Sequence, residues 1–149
     1  MAIKHITVRE AHAQLTDGGT YVDVRSIPEF AQGHPAGAVN VPLLHRDERT
    51  GQMAPNREFI AVFQANFPAG TKLLIGCQVG GRSAQAAQIL AGAGYQDVAN
   101  VLGGFAGSHD PMTGRITEGW VQADLEIATE SAAGESYREL LTKAQQGRP

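Results

Sequence analysis

The sequence predicts an α/β domain with a largely parallel sheet and helices on both faces. Three observations predict it. Short β-rich segments alternate with helical ones along most of the chain. The run Lys72-Leu73-Leu74-Ile75 is almost wholly apolar, which suits a central strand buried on both faces. It leads into a glycine-rich loop at 76–81 and then an alanine-rich helix. The 149 residues suffice for one domain that buries roughly 70% of its unfolded surface.

The elements follow in order. Ile6-Thr7-Val8 reads as a short edge strand, and Thr7 also as cap of a helix over 8–15, with Glu10 completing a capping box. Asp17-Gly18-Gly19 turns the chain into a strand at Tyr21-Val22-Asp23-Val24. Pro28-Glu29-Phe30 opens a brief helical turn that Gly33 and Pro35 interrupt. Ala38-Val39 is a very short strand, and the polar residues 43–55 read as a loop. Asn56 is the expected N-cap of a helix to about Asn66, with Phe59, Ile60 and Phe63 on its apolar face. After the strand at 72–75, a helix runs from Arg82 to about Ala93, with Ala86, Ile89 and Leu90 toward the core. Val98 and Val101 mark a last strand, and residues 107–119 read as loop. Tyr137, Leu140 and Leu141 fit one stripe of a helix from about Gly134 to Gln146, either docked or a partly mobile tail, with 146–149 frayed.

Composition excludes several function classes. Twelve Lys+Arg against fifteen Asp+Glu give a net charge of -3, with no basic run to form a nucleic-acid footprint. No apolar stretch approaches the ~18 residues of a membrane span. The start, Met1-Ala2-Ile3-Lys4-His5, lacks the apolar core of a signal peptide, so a cytoplasmic location is expected. The single cysteine, Cys77, forms no internal disulfide, and thiol exchange must use an external partner. His5, His12, His34, His45 and His109 lack tight ligand spacing, so neither metal nor cofactor is expected. A monomer is the expected state.

The chemistry concentrates at Gly76-Cys77-Gln78-Val79-Gly80-Gly81-Arg82-Ser83. A buried strand delivers Cys77 to its carboxyl end, the usual ligand crevice of an open α/β sheet. Gly80 and Gly81 allow successive amides to turn inward as an anion-binding nest, and the helix from Arg82 aims its positive end there. Such surroundings favour the thiolate form of Cys77. A thiolate amid donors can take a sulfane sulfur and hold it as a persulfide. It can also attack phosphorus or arsenic while the amides hold an oxyanion. Loop size separates the two. Cys77 to Arg82 spans six residues, whereas phosphate and arsenate cradles commonly place five residues between cysteine and arginine, and Ser83 holds that position here. Residue types alone also leave open an inert buried cysteine, a simple Gly80-Gly81 turn, a solvated Arg82 and a Ser83 that only bonds the helix start.

Residues 77–83 resemble the active loop of the rhodanese family: cysteine, two variable residues, glycine, a variable residue, arginine, then often serine. Tyr21-Val22-Asp23-Val24-Arg25-Ser26-Ile27-Pro28-Glu29-Phe30, continuing through Gly33-His34-Pro35-Ala36-Gly37, resembles a second family segment, although Pro35 stands where isoleucine is usual. Val101-Leu102-Gly103-Gly104-Phe105 resembles a third. The three lie in order over roughly residues 5–127 and imply a rhodanese-like domain over 1–130, followed by a C-terminal helical extension or tail over 131–149. The resemblance implies a three-layer fold around a mostly parallel five-stranded sheet. It implies a sulfurtransferase with Cys77 catalytic and Gln78, Val79, Gly80, Gly81, Arg82 and Ser83 binding substrate. Asp23, Arg25, Glu29 and His34 would support the site. The partners would be a donor such as thiosulfate and an acceptor such as cyanide, a small thiol or a protein thiol. The alternatives are a phosphatase or arsenate reductase using Cys77, and a non-enzymatic rhodanese-like binding module. The chain departs from compact relatives after Phe105, where residues 106–115 precede Gly119-Trp120. His109 and Arg115 in that insertion are candidates for the pocket rim, and Trp120 for a core or lid anchor.

Overall fold

The computed structural model describes residues 3–146. In chain order the elements are β1 Lys4–Ile6, α1 Val8–Thr16, β2 Thr20–Asp23, α2 Ile27–Gln32, β3 His34–Pro35, β4 Val39–Asn40, β5 Leu44–Arg46, β6 Met53–Pro55, α3 Phe59–Asn66, β7 Lys72–Gly76, α4 Gly81–Gly92, β8 Asp97–Val101, β9 Ser108–His109, β10 Ile116–Thr117, β11 Ile127–Ala128 and α5 Tyr137–Gln146. The main sheet has five parallel strands in the order β1-β8-β7-β2-β4, which puts the apolar run of β7 at its centre.

Strand alternation divides the core in two. Leu73 and Ile75 point to one face and pack with Phe59, Phe63, Leu90 and the α5 residues Tyr137 and Leu140. Leu74 points to the other face, where Val8, Ala11, Phe30, Tyr21 and the fully buried Trp120 meet. Helices α3, α4 and α5 thus cover one side, and α1 and α2 the other. Trp120 anchors the core, and its indole Nε1–H donates to Glu126 O at 2.8 Å.

Several local expectations shift. The edge strand lies at Lys4–Ile6, two residues before the expected 6–8. Thr7 leaves the strand because its hydroxyl accepts the Glu10 N–H while Glu10 accepts the Thr7 N–H, the capping box read from sequence. Residues 43–55 are not a plain loop: β5 and β6 pair antiparallel, and the polar residues between them turn through Asp47 N–H to Gln52 O at 2.7 Å. Asn56 does not cap α3. Glu58 holds that position, while Asn56 Oδ1 accepts its N–H and Asn56 Nδ2 donates to Pro42 O and to Tyr137 Oη. Asn56 therefore joins the start of α3 to α5, and the C-terminal helix is docked. Within 107–119, β9 and β10 form a second small hairpin, and β11 pairs with β3. Ile89 is exposed; Ala86, Ala87 and Leu90 form the inward stripe of α4. Of the tail expected to fray, Gln146 closes α5 and 147–149 lie outside the described residues.

Candidate active site

β7 ends at Gly76, and Cys77 follows at the carboxyl edge of the sheet with 2% of its surface exposed. Gly80 has φ +120°, a conformation that L side chains rarely adopt, and it bends the loop back so that two amides face the sulfur. Cys77 Sγ accepts the Gly80 N–H at 3.1 Å and the Ser83 N–H at 3.3 Å. Ser83 lies in the first turn of α4, whose leading N–H groups have no acceptor within the helix. The sulfur therefore sits where backbone donors and the positive end of the helix macrodipole converge.

The other side of the loop is propped by the segment after β8. Phe105 N–H donates to Cys77 O at 2.8 Å and Ala106 N–H to Gln78 O at 2.9 Å. This close approach requires Gly104, whose φ is +57° and whose place could not hold a Cβ without striking Cys77 O and the Gln78 carbonyl. Gly103-Gly104-Phe105 thus fixes the backbone from which the thiol hangs.

Arg82 points away from the sulfur. Its Nη1 and Nη2 donate to the two oxygens of Glu29 at 2.8 and 3.0 Å. The Arg82 fork holds the Glu29 carboxyl down at about 2, against the opposing effect of burial, and Glu29 in turn raises Arg82. Glu29 has a second task, since it completes a capping box with Ser26 at the start of α2. That box was readable as Ser26-x-x-Glu29, with Pro28 inside it, but Pro28 drew the expected helix start past Ser26.

Asp23 and Arg25 form a buried ion pair at 2.7 Å. Arg25 also donates to Gly33 O at 2.6 Å and to Gln78 Oε1 at 3.0 Å, and its guanidinium lies 4.5 Å from the centre of the Phe105 ring. A buried charge needs such partners on every side. Through Arg25, the segments 23–25, 33 and 105 all hold the Cys77 loop. His34 is fully buried beneath this cluster, stacked on Phe30 at 3.6 Å, with Nδ1 bonded to Phe30 O at 2.7 Å and Nε2 without a hydrogen-bond partner among the described residues. Arg25, Glu29, Gln32, Gly33, Gln78 and Phe105 line a depression of about 260 Å³.

Of the residues singled out in the sequence, Cys77, Gly80, Ser83 and Gln78 come together with Asp23 and Arg25. Val79 is half exposed at the loop tip, and Gly81 starts α4. His109 and Arg115 do not join them. Both are exposed on the β9–β10 side, where His109 lines a separate concavity with Ala106, Ile116 and Gln122. Sequence reasoning missed Asn100, a buried β8 residue whose Oδ1 accepts the Ser83 hydroxyl proton at 2.6 Å. It also missed Asn40, whose amide donates to Asp23 O and Arg25 O.

The Rhodanese-like domain family matches residues 7–110. Thiosulfate sulfurtransferase 16, a chloroplast protein of Arabidopsis thaliana, is 38% identical over 101 residues, covering 68% of this chain and 82% of that protein. The senescence-associated protein DIN1 of Raphanus sativus is 35% identical over 101 residues, and the match spans only 54% of its length. Among solved structures, Rv0390 from M. tuberculosis superposes with a TM-score of 0.69 at 28% identity, covering 87% of this chain and all of that one.

Proposed function

The chain belongs to the rhodanese-like domain family, and from that premise we propose that it is a sulfurtransferase in which Cys77 carries one sulfur as a persulfide. The observation that carries this reading is the pair of backbone N–H donors, from Gly80 and Ser83, aimed at Cys77 Sγ from the start of α4. A thiolate so held is the nucleophilic form of the residue. The first step is attack on the outer sulfur of a donor such as thiosulfate. A Cys77 S–S bond forms, the donor's S–S bond breaks, and sulfite leaves with the electron pair. In the second step cyanide or a thiolate attacks the outer sulfur, and the Cys77 thiolate is restored.

The amides of Gly81 and Arg82 lie between the two that already hold Sγ and would supply further donors for the terminal sulfur of the persulfide. Arg82 acts as a brace through Glu29, so backbone groups do most of the anion binding. Gln78 is oriented by Arg25 at the edge of the neighbouring depression. With no second cysteine in the chain, the acceptor is an external molecule. The name of the chloroplast relative supports thiosulfate as the donor to assay first.

The test is thiocyanate formation from thiosulfate and cyanide by the full chain and by Cys77→Ser. The expected result is turnover by the wild type and a loss of roughly 10³-fold or more in the variant, as for removal of a nucleophile. Equal rates for the two proteins would reject Cys77 as the carrier.

A further inference from the structure

Polar contacts continue inward from the thiol. Cys77 Sγ lies 3.3 Å from Ser83 Oγ, Ser83 Oγ lies 2.6 Å from Asn100 Oδ1, and Asn100 Nδ2 lies 3.3 Å from His5 Nδ1. The first three residues are buried, whereas His5 is exposed on the edge strand. Strand register makes the line: His5 sits opposite Asn100, and Asn100 opposite Ile75, two residues before Cys77.

The inner links constrain one another. Ser83 has one hydroxyl proton, and Asn100 must present its acceptor to one neighbour and its donor to the other. In the arrangement seen, the chain runs outward. Cys77 S–H donates to Ser83 Oγ, Ser83 O–H to Asn100 Oδ1, and Asn100 N–H to His5 Nδ1. This direction needs an unprotonated Nδ1. An imidazolium carries N–H on both nitrogens and would set donor against donor. A half-turn of the Asn100 amide removes the conflict, with Oδ1 toward His5 and Nδ2 toward Ser83. Ser83 Oγ then accepts from Asn100, and its own proton is free to turn to Cys77 Sγ or to Gly80 O at 3.1 Å. A thiolate, being charged, outcompetes the neutral carbonyl.

We propose that His5 and Asn100 are positioning residues for Cys77: protonation of His5 reverses this chain and gives the thiolate a third donor, the Ser83 hydroxyl. The proposal rests on reading Cys77 as the nucleophile. The inner protons only rotate. Across the whole change, His5 takes a proton from solvent and Cys77 releases one to it. The neighbouring charges have their own counter-charges: Lys4 of β1 with Asp97 of β8, Arg9 of α1 with Glu118, and Arg82 of α4 with Glu29. By linkage, the thiolate favours protonated His5 by the same factor.

The test is the rate of Cys77 alkylation by iodoacetamide against pH, read by intact mass on the full chain; the single cysteine makes the signal unambiguous. Histidine changes charge between about pH 5 and 8. The wild type should show a shoulder in that range, reacting at low pH roughly 10-fold faster than its high-pH limb extrapolates, the effect of one added hydrogen bond to a charged group. His5→Gln, an exposed replacement with a polar tip and no titration, should give a single-proton curve. Asn100→Leu should lose the shoulder with His5 still in place. A wild type without a shoulder, or a shoulder that persists in His5→Gln, would overturn the proposal. Persistence in a folded Asn100→Leu would also overturn it and would assign the coupling to charge acting through space. The readout uses no sulfur donor, so failure of thiocyanate formation and failure of this chain are separate results.

Discussion

Replacing Glu29 by glutamine removes one charge from the brace between α2 and the Cys77 loop while leaving an oxygen that can still accept the Ser26 N–H. The capping box tolerates glutamine at this position, so the loss is assigned to Arg82. The pair is bidentate, at 2.8 and 3.0 Å, but its side chains are 26% and 34% exposed, so water screens it. A pair in that setting contributes about 1 kcal/mol. The pH dependence has a defined sign. Arg82 chiefly, with the Ser26 N–H and hydroxyl adding to it, depresses the folded-state carboxyl of Glu29 from 4.5 to about 2. A depressed group contributes stability that is complete above its unfolded value and is lost as pH falls through its folded value. The wild type should therefore exceed Glu29→Gln by about 1 kcal/mol at neutral pH, with the gap narrowing and closing as pH falls below 4.5. Urea unfolding of both proteins at neutral pH and at two acidic pH values measures this. No gap at neutral pH, or a gap that stays constant into acid, would refute the brace.

Gly104→Ala should lower the melting temperature and slow Cys77 alkylation, because the new methyl meets Cys77 O where φ is already +57°; the cost is about 2 kcal/mol or more, and an unchanged melting curve would contradict it. Arg25→Met leaves the Asp23 charge buried and should cost about 3–5 kcal/mol in urea unfolding. Tyr137→Phe removes the hydroxyl that accepts from Asn56 and should cost about 1 kcal/mol, whereas no change would mean that this bond adds nothing to the docking of α5.

The parts of the fold that were legible in the sequence rest on local physics. The almost wholly apolar run of β7 suited a doubly covered strand, and Thr7 with Glu10 announced the first helix through a side-chain bond spanning three residues. The Cys77 loop was legible for the same reason, since Gly80 and the start of α4 bring donors to the sulfur within seven residues of chain. What escaped depends on which strands become neighbours. The β5–β6 hairpin was hidden by the polar character of residues that lie on the surface, where pairing needs no apolar alternation. Ile89 looked like a core residue by type, but the helix rotates Ala86, Ala87 and Leu90 inward instead. The direction of Arg82 depended on Glu29, 53 positions away, and the link from Ser83 to Asn100 to His5 depended on the β1–β8 register.

On this reading Cys77 holds one transferable sulfur. Intact mass measured before thiosulfate, after thiosulfate, and after subsequent cyanide tests it most directly. The wild-type chain should gain about 32 Da, lose it on adding cyanide, and Cys77→Ser should show neither change. An unchanged wild-type mass with every sulfane donor tried, or the same gain in Cys77→Ser, would contradict it.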